Sequence, residues 1–206
     1  MRRVDEEPSG RAWHSDRVDP APARCFGTGN ARYAQYHDTE WGRPQRGEQA
    51  LYEKVCLEGF QAGLSWLTVL NKRDALRSAF AGFDPEWVVD VDVAPLLADA
   101  RLIRSAPKLR ACLTNARATL ALRPSGGLAA LLWAHAQVPS PAYREPGEVP
   151  ASTPASRTAA RELKAAGFAY VGPTTVYSLM QACGLVNDHL ERCPVHDEVE
   201  VLRRAP

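Results

Sequence analysis

The sequence has no apolar run that approaches the ~20 residues of a membrane-spanning helix. Residues 1–23 also lack the apolar segment of a secretory signal, and they mix charges of both signs with proline and glycine. We therefore expect residues 1–23 to form a disordered extension, and we expect no contact with a membrane.

An excess of one charge is absent as well. The 206 residues include 25 Lys and Arg against 24 Asp and Glu, which gives a net charge of +1. Any contact with nucleic acid must therefore come from a local basic face rather than from the field of the whole molecule. With no export signal, the five cysteines favour a reducing, cytoplasmic compartment, in which they are thiols or metal ligands rather than disulfides.

Strand-like alternation and internal repeats are missing too. Apolar or small residues recur at helical spacing instead, as at positions 51, 55, 59 and 62. Capping and stop signals predict helices at 48–62, 66–81, 85–91, 92–102, 107–122, 127–136 and 156–166, and a last one from Pro173. The predicted fold class is all-α, with one domain of two helical lobes at 24–196 and a tail at 197–206.

Two pairs of metal-ligating residues lie near the ends of the predicted domain. Eleven residues separate Cys25 from His37, and three separate His189 from Cys193, a spacing typical of structural zinc half-sites. Together they would form a closed Cys2His2 set. The alternative is a loop thiol and a helix-end histidine that binds water. Two further residues compete as ligands, one among core positions and one in the charged tail: Cys56 and His196.

The segment 165–180 has a helix-hairpin-helix pattern. One helix ends at Gly167, and Gly172-Pro173 opens the next after a short link. A glycine-rich hairpin allows close approach of the backbone to DNA, and the second helix presents free N–H groups to a phosphate. Thr174 and Thr175 add hydroxyls, and Lys164 adds charge. The alternative is an ordinary connection between two helices of a bundle.

Glu58 lies on an otherwise apolar helical stripe, in "CLEGFQAGLSW". If the Gly63–Ser65 turn reverses the chain, Trp66 returns towards Glu58 and helps to form a pocket with one acid and several aromatic faces. The other candidate walls are the nearby aromatic residues Tyr33, Tyr36 and Trp41. A buried Glu58 would need a partner, such as the Tyr36 hydroxyl, a backbone N–H or a cationic ligand. The alternative is a core aromatic cluster with an exposed glutamate.

These three features occur together in the 3-methyladenine DNA glycosylase I family, zinc-containing members of the helix-hairpin-helix DNA glycosylases, which the sequence resembles. The resemblance runs from about Arg24 to Cys193. It is carried by "YHDTEWG" (36–42), "LEGFQAGLSW" (57–66), "VLNKRDALRSAF" (69–80), "GFAYVG" (167–172) and "YSLMQACGLVNDH" (177–189).

The resemblance implies a helical bundle in which one structural Zn²⁺ joins the two ends of the domain. Its ligands would be Cys25, His37, His189 and Cys193, a set that leaves no open position for catalysis. It also implies a monomeric enzyme of base excision repair. Such an enzyme acts on double-stranded DNA containing 3-methyladenine, flips the cationic base out of the duplex and releases free 3-methyladenine.

The resemblance also assigns roles in the base site. Glu58 is the key catalytic group, Glu58 and Tyr36 contact the base, and Trp66 stacks on it. The family carries a Trp shortly after the first zinc ligand, whereas "CFGTGN" here offers Phe26. Thr174 stands where related enzymes that cut the backbone have a catalytic Lys, which predicts a monofunctional glycosylase. Asp188 is the one nearby Asp that could assist catalysis.

Two other functions stay open from the sequence. A non-catalytic protein of the same fold that binds alkylated DNA would share the zinc site and the hairpin. A catalytic zinc hydrolase would require an open coordination position on the metal.

Overall fold

The computed structural model describes residues 24–26 and 29–205, so the extension predicted at 1–23 lies outside the described residues. Ten α-helices are present in the described part. They are α1 Ala31–Thr39, α2 Glu48–Gln61, α3 Trp66–Ala79, α4 Pro85–Val88, α5 Val93–Ala98, α6 Ala106–Leu122, α7 Gly127–Trp133, α8 Pro154–Ala165, α9 Pro173–Ala182 and α10 His196–Arg204. The prediction of an all-α fold class is confirmed.

Local capping explains where several helices begin. The Ser65 side chain accepts a hydrogen bond from the backbone N–H of Thr68 at the start of α3. Asp84 caps α4 and Asp92 caps α5 in the same way, as the sequence predicts. For α8 the predicted start at Ser156 is late, because the cap is Thr153 and Ser156 completes a capping box from within the first turn.

Two helices are absent from the sequence prediction. Asn30 accepts a hydrogen bond from the N–H of Tyr33 and so caps α1. The other is α10, which occupies most of the segment predicted as a tail at 197–206. Its Arg203 guanidinium is buried and donates to the carbonyl oxygens of Gly184 and Leu185, which follow α9. Residues 197–204 therefore pack on the domain, because this cation binds carbonyl oxygens of the loop that follows α9.

Helix α2 lies at the centre of the molecule and packs against α3, α6, α7 and α9. From Leu51 to Phe60 every residue except Glu53 is buried. A helix that is buried on all sides has no solvent face for its polar residues. The two charged side chains Lys54 and Glu58 are consequently enclosed within the protein.

None of the helices described here combines the length and the apolar character that crossing a membrane requires.

Gly184 connects α9 to the loop that carries His189. Its φ is +75°, and an added Cβ would lie 2.6 Å from the carbonyl oxygen of Gly42 and 2.9 Å from the carbonyl carbon of Arg43. The close approach leaves no room for any other residue.

We expect Gly184→Ala to lower the free energy of unfolding by about 3 kcal/mol or more, because backbone atoms must move apart. Gly63→Ala is the matched control, since φ is +73° at Gly63 but no atom lies within 4 Å of the added Cβ. Its cost should be about 1 kcal/mol. Urea denaturation measures the free energy of unfolding of both variants. Equal losses of stability would show that the close backbone contact at Gly184 does not add to the cost of the substitution.

Candidate active site and metal centre

Four metal-ligating side chains converge at one point, with their ligand atoms all within 4.8 Å of one another: Cys25, His37, His189 and Cys193. The Cys193 Sγ lies 3.4 Å from His189 Nδ1 and 3.5 Å from His37 Nε2. The Cys25 Sγ lies 3.7 Å from His189 Nδ1. A tetrahedral ion with bonds of ~2.0–2.3 Å holds its ligands about 3.3–3.8 Å apart, so the cluster could hold a metal ion of this kind.

The ring nitrogens that face away from the cluster have partners of their own. His189 Nε2 donates to the carbonyl oxygen of Trp41 at 3.1 Å, and His37 Nδ1 donates to Asp38 Oδ1 at 2.8 Å. The Asp38 carboxylate in turn accepts from the Arg24 guanidinium. Such outer partners fix the tautomer and orientation of metal-ligating histidines.

The sulfur of Cys193 is held in an environment that favours thiolate. Hydrogen bonding with Cys25, and then with His189 and His37, lowers the pKa of the Cys193 thiol despite its burial. Metals bind the thiolate form of cysteine. The competing ligands do not join the cluster, since Cys56 is buried in the core and His196 begins α10 and contacts Asp197.

A cavity of about 250 Å³ lies beside the metal cluster. Its lining includes every predicted base-site residue: Phe26, Tyr33, Tyr36, Trp41, Glu58 and Trp66. Pockets for larger organic ligands are typically ~300–1,000 Å³, so this one suits a small aromatic group.

The turn after α2 brings Trp66 back to Glu58, as the sequence predicts. Helix α2 ends at Gln61 and α3 begins at Trp66, with Gly63 in the left-handed conformation between them. The Trp66 ring lies 5.3 Å from that of Tyr36. The indole Nε1 is buried and has no hydrogen-bond partner among the described residues.

Phe26 links the metal cluster to the pocket. Its ring centroid lies 4.9 Å from the His37 ring, 4.9 Å from the Trp41 ring and 4.8 Å from the Tyr33 ring. The Trp41 ring contacts the His189 ring at 4.5 Å. One wall of the pocket is therefore built on residues that the metal cluster positions.

The Glu58 carboxylate is almost fully enclosed, with 4% of the residue exposed. Glu58 lines two neighbouring cavities, one beside the metal cluster and one beside the start of α9. Burial raises the pKa of Glu58 to about 8, and the nearby Lys54 cation opposes this rise. Burial, followed by the charge of Glu58, also raises the pKa of Tyr36, so this phenol stays neutral.

Three polar residues of the pocket escaped the sequence prediction: Gln61, Ser178 and Gln181. Helical spacing could have identified Gln61, which follows Glu58 by three residues on α2. The residues from α9 depend on the packing of α9 against α2. Asp188 also lines the pocket, and its Oδ2 accepts hydrogen bonds from the Tyr177 hydroxyl at 2.6 Å and Gln181 Nε2 at 2.8 Å.

The helix-hairpin-helix segment consists of α8, a short link and α9. Gly167 follows α8 with φ +94°, and Gly172 is the N-terminal cap residue of α9 without a side-chain hydrogen bond in the described residues. A second cavity, of about 200 Å³, is lined by Thr174 and Thr175 together with Glu58. Lys164 is exposed on α8 and lines neither cavity.

Comparison with known proteins gives a family match over residues 26–196, to the methyladenine glycosylase model. The chain is 42% identical over 168 residues to DNA-3-methyladenine glycosylase from Haemophilus influenzae. The alignment covers 79% of this chain and 91% of the relative. The chain is also 44% identical over 167 residues to DNA-3-methyladenine glycosylase 1 from Escherichia coli, with 78% and 89% covered.

Solved structures show the same likeness. A crystal structure of 3-methyladenine DNA glycosylase I superposes with a TM-score of 0.81 at 43% identity, covering 84% of this chain and 100% of that one. A structure describing 3-methyladenine recognition by the enzyme from Staphylococcus aureus gives 0.80 at 31% identity, covering 84% and 95%. Because the family match spans the pocket, the hairpin and three of the four residues of the metal cluster, the chain belongs to the methyladenine glycosylase family.

Proposed function

We propose that this chain hydrolyses the N-glycosidic bond of 3-methyladenine in alkylated double-stranded DNA and releases the free base. The observation that carries the proposal is the Glu58 carboxylate, which belongs to a residue only 4% exposed and faces a small aromatic pocket. Burial of a carboxylate is costly, and a cationic ligand is a partner that would compensate for it.

The chemistry of the lesion fits this pocket. Adenine methylated at N3 is positively charged while it is attached to the sugar, and this charge makes it a good leaving group. To reach the pocket, the nucleotide must flip out of the duplex. The faces of Tyr36 and Trp66 then attract the cationic ring, and Glu58 attracts it more strongly than it would in water.

Selectivity follows from the same carboxylate. Normal adenine carries no positive charge, so it cannot compensate for the desolvation of an ionised Glu58. Binding of the cationic base, by contrast, favours the ionised form of Glu58 and lowers the pKa of its carboxyl from about 8. Glu58 therefore acts as the group that discriminates the cationic lesion from normal adenine.

The hairpin supplies contacts with the DNA backbone in this proposal. The free end of α9 offers the backbone N–H groups of Thr174 and Thr175 and their hydroxyls to a phosphate. Gly172 allows the close approach of the strand, and the exposed Lys164 adds positive charge on α8. The second cavity is lined by Thr174, Thr175 and Glu58 together, which supports phosphate contacts close to the flipped nucleotide.

The metal centre has a structural role in this proposal. Zn²⁺ bound by Cys25, His37, His189 and Cys193 would fill all four tetrahedral positions with protein ligands. It would join the segment before α1 and the last turn of α1 to the loop after α9, and so hold the wall formed by Phe26 and Trp41. We propose that the protein works as a monomer in the cytoplasm, where it meets DNA.

We expect Glu58→Gln to reduce excision of 3-methyladenine by on the order of 100-fold, because the cationic base loses its counter-charge. Release of the free base from methylated DNA, followed by chromatography, measures this. Glu48→Gln makes the same change in the first turn of α2, where Glu48 pairs with Arg123 at the surface, and should stay within about twofold of the wild type. Equal activity of the two variants would show that Glu58 takes no part in excision.

The same Glu58→Gln variant should be more stable than the wild type near pH 8. The pKa of Glu58 is about 8 in the folded protein and 4.5 for an ordinary glutamate side chain, so the unfolded chain loses this proton at a lower pH than the folded chain does. Stability is therefore lost between these two pH values as pH rises, and the neutral amide avoids a loss of about 1–3 kcal/mol. A variant that loses both stability and excision would indicate a damaged fold instead.

A bound metal is tested by Cys193→Ala. We expect purified wild-type protein to contain about one zinc ion per chain, and the variant to contain almost none and to unfold at lower temperature. Elemental analysis and thermal denaturation measure these. Cys112→Ala removes a buried thiol outside the cluster and should keep the metal. Full zinc content in Cys193→Ala would contradict the assignment of ligands.

A monofunctional enzyme forms no Schiff base with the sugar. Thr174 places a hydroxyl, not an amine, at the position of the catalytic lysine in the related lyases. We therefore expect no covalent complex when the protein and DNA with an abasic site are treated with borohydride. A trapped complex on a denaturing gel would contradict this prediction.

A damage-binding protein without turnover is the alternative function. It would bind methylated DNA with the same preference but release no base above the spontaneous rate. The excision assay on the wild-type protein distinguishes the two.

A further inference from the structure

We propose that Lys54 is a positioning residue that favours the ionised form of Glu58 and supports the ring of Tyr36 at the base of the pocket. This inference rests on the function proposed for Glu58 and adds a second residue to it. Lys54 does not line the pocket, so it acts through its neighbours rather than on the substrate.

The position of Lys54 is set by α2. It precedes Glu58 by four residues, so both side chains project from the same face of the helix. Its Nζ is buried and makes no hydrogen bond to any described residue. A lysine ammonium has three donors, so its burial without hydrogen bonds is unusual.

The Lys54 ammonium lies near the face of an aromatic ring and near a carboxylate that is already paired with an arginine. Lys54 Nζ lies 5.1 Å from the centroid of the Tyr36 ring and 3.9 Å from Glu40 Oε2. Arg73 binds both oxygens of that Glu40 carboxylate, at 2.5 and 2.8 Å. The Arg73 pair satisfies most of the negative charge of Glu40, which leaves the Lys54 charge available to Glu58.

Groups from other elements do not replace this charge. The pocket walls and their neighbours bring neutral or acidic titratable groups to Glu58 from α1, from the end of α9 and from the following loop: Tyr33, Tyr36, Cys183 and Asp188. Burial raises the pKa of Glu58, and Lys54 is the one charged group in the described residues that lowers it. Without Lys54, the carboxyl would bind its proton more tightly.

The charge of Lys54 has two opposite effects on a cationic base. It favours the ionised Glu58 that attracts the base, and it also repels the base directly. The first effect matters at pH values where Glu58 would otherwise be protonated, and it vanishes once Glu58 is ionised in any case. A positioning role therefore depends on pH, whereas a purely structural role does not.

The experiment compares Lys54→Met, which keeps the length of the side chain, with Lys54→Arg, which keeps the charge. The Glu58 carboxyl is titrated by NMR in protein labelled with ¹³C-glutamate, and Glu58→Gln identifies its signal. The pH profile of kcat/KM for excision is measured in parallel, because it reports groups that titrate in the free enzyme. Lys54→Gln serves for both measurements if Lys54→Met does not fold.

We expect Lys54→Met to raise the pKa of Glu58 by about one unit. The ionised fraction, and excision with it, should then fall about tenfold near pH 7 and recover to within about twofold above pH ~9.5. Lys54→Arg should retain the wild-type titration and the wild-type profile.

An unchanged Glu58 titration in Lys54→Met overturns the inference, even if the protein excises 3-methyladenine normally. A loss of excision that is equal at every pH also overturns it, because it indicates damage to the fold. A shifted titration with an unshifted excision profile refutes the proposed role of Glu58 and, with it, the role of Lys54. Absence of excision in the wild-type protein would refute the proposed function alone, since the titration is still measurable.

Discussion

The enclosure of the Glu58 carboxylate within α2 is the constraint around which the rest of the site is arranged. Helix α2 is buried on all sides, so a charge on it must meet a partner inside the protein. The fold offers Lys54 one turn away and leaves the pocket side open to a cationic ligand. In the proposed function, the local cost of this arrangement is also the source of selectivity, because only a positively charged base compensates for the desolvation of Glu58.

The second requirement is a rigid wall opposite that carboxylate. The metal-ligating cluster joins Cys25, which precedes α1, and His37 in the last turn of α1 to the loop after α9, which is distant in sequence. Phe26 and Trp41 pack on the two histidine rings and line the pocket at the same time. The cluster therefore also supports one wall of the pocket, although its own four residues are not among the lining residues.

In the proposed function, the hairpin provides the contact between a nearly neutral protein and DNA, which is an acidic polymer. With a net charge of +1, the chain has no general attraction for DNA. A helix end with unpaired N–H groups binds phosphate through local geometry instead. The cavity between α9 and the turn after α2 is lined by residues of both, including Glu58. In the proposed function, the backbone contacts and base recognition therefore share one surface.

Several features of the fold and of the site could be predicted from the sequence, because they depend on local signals. Capping residues such as Ser65 and Asp84 predicted where helices begin, and the spacing of Cys and His residues pointed to the metal cluster. The same local reasoning failed at α10, which consists largely of charged residues and is held by Arg203 against carbonyl groups far away in the chain. It also missed Ser178 and Gln181, whose position depends on how α9 packs on α2.

The sequence by itself determined the all-α class, the turn between α2 and α3, and the family resemblance, since helical periodicity and motifs are properties of neighbouring residues. Only the tertiary structure decided that Glu58 is enclosed beside an aromatic pocket and that the Lys54 ammonium lies over the Tyr36 ring. The ionisation of a buried group depends on the charges and solvent that the whole fold places around it, and no local pattern records these.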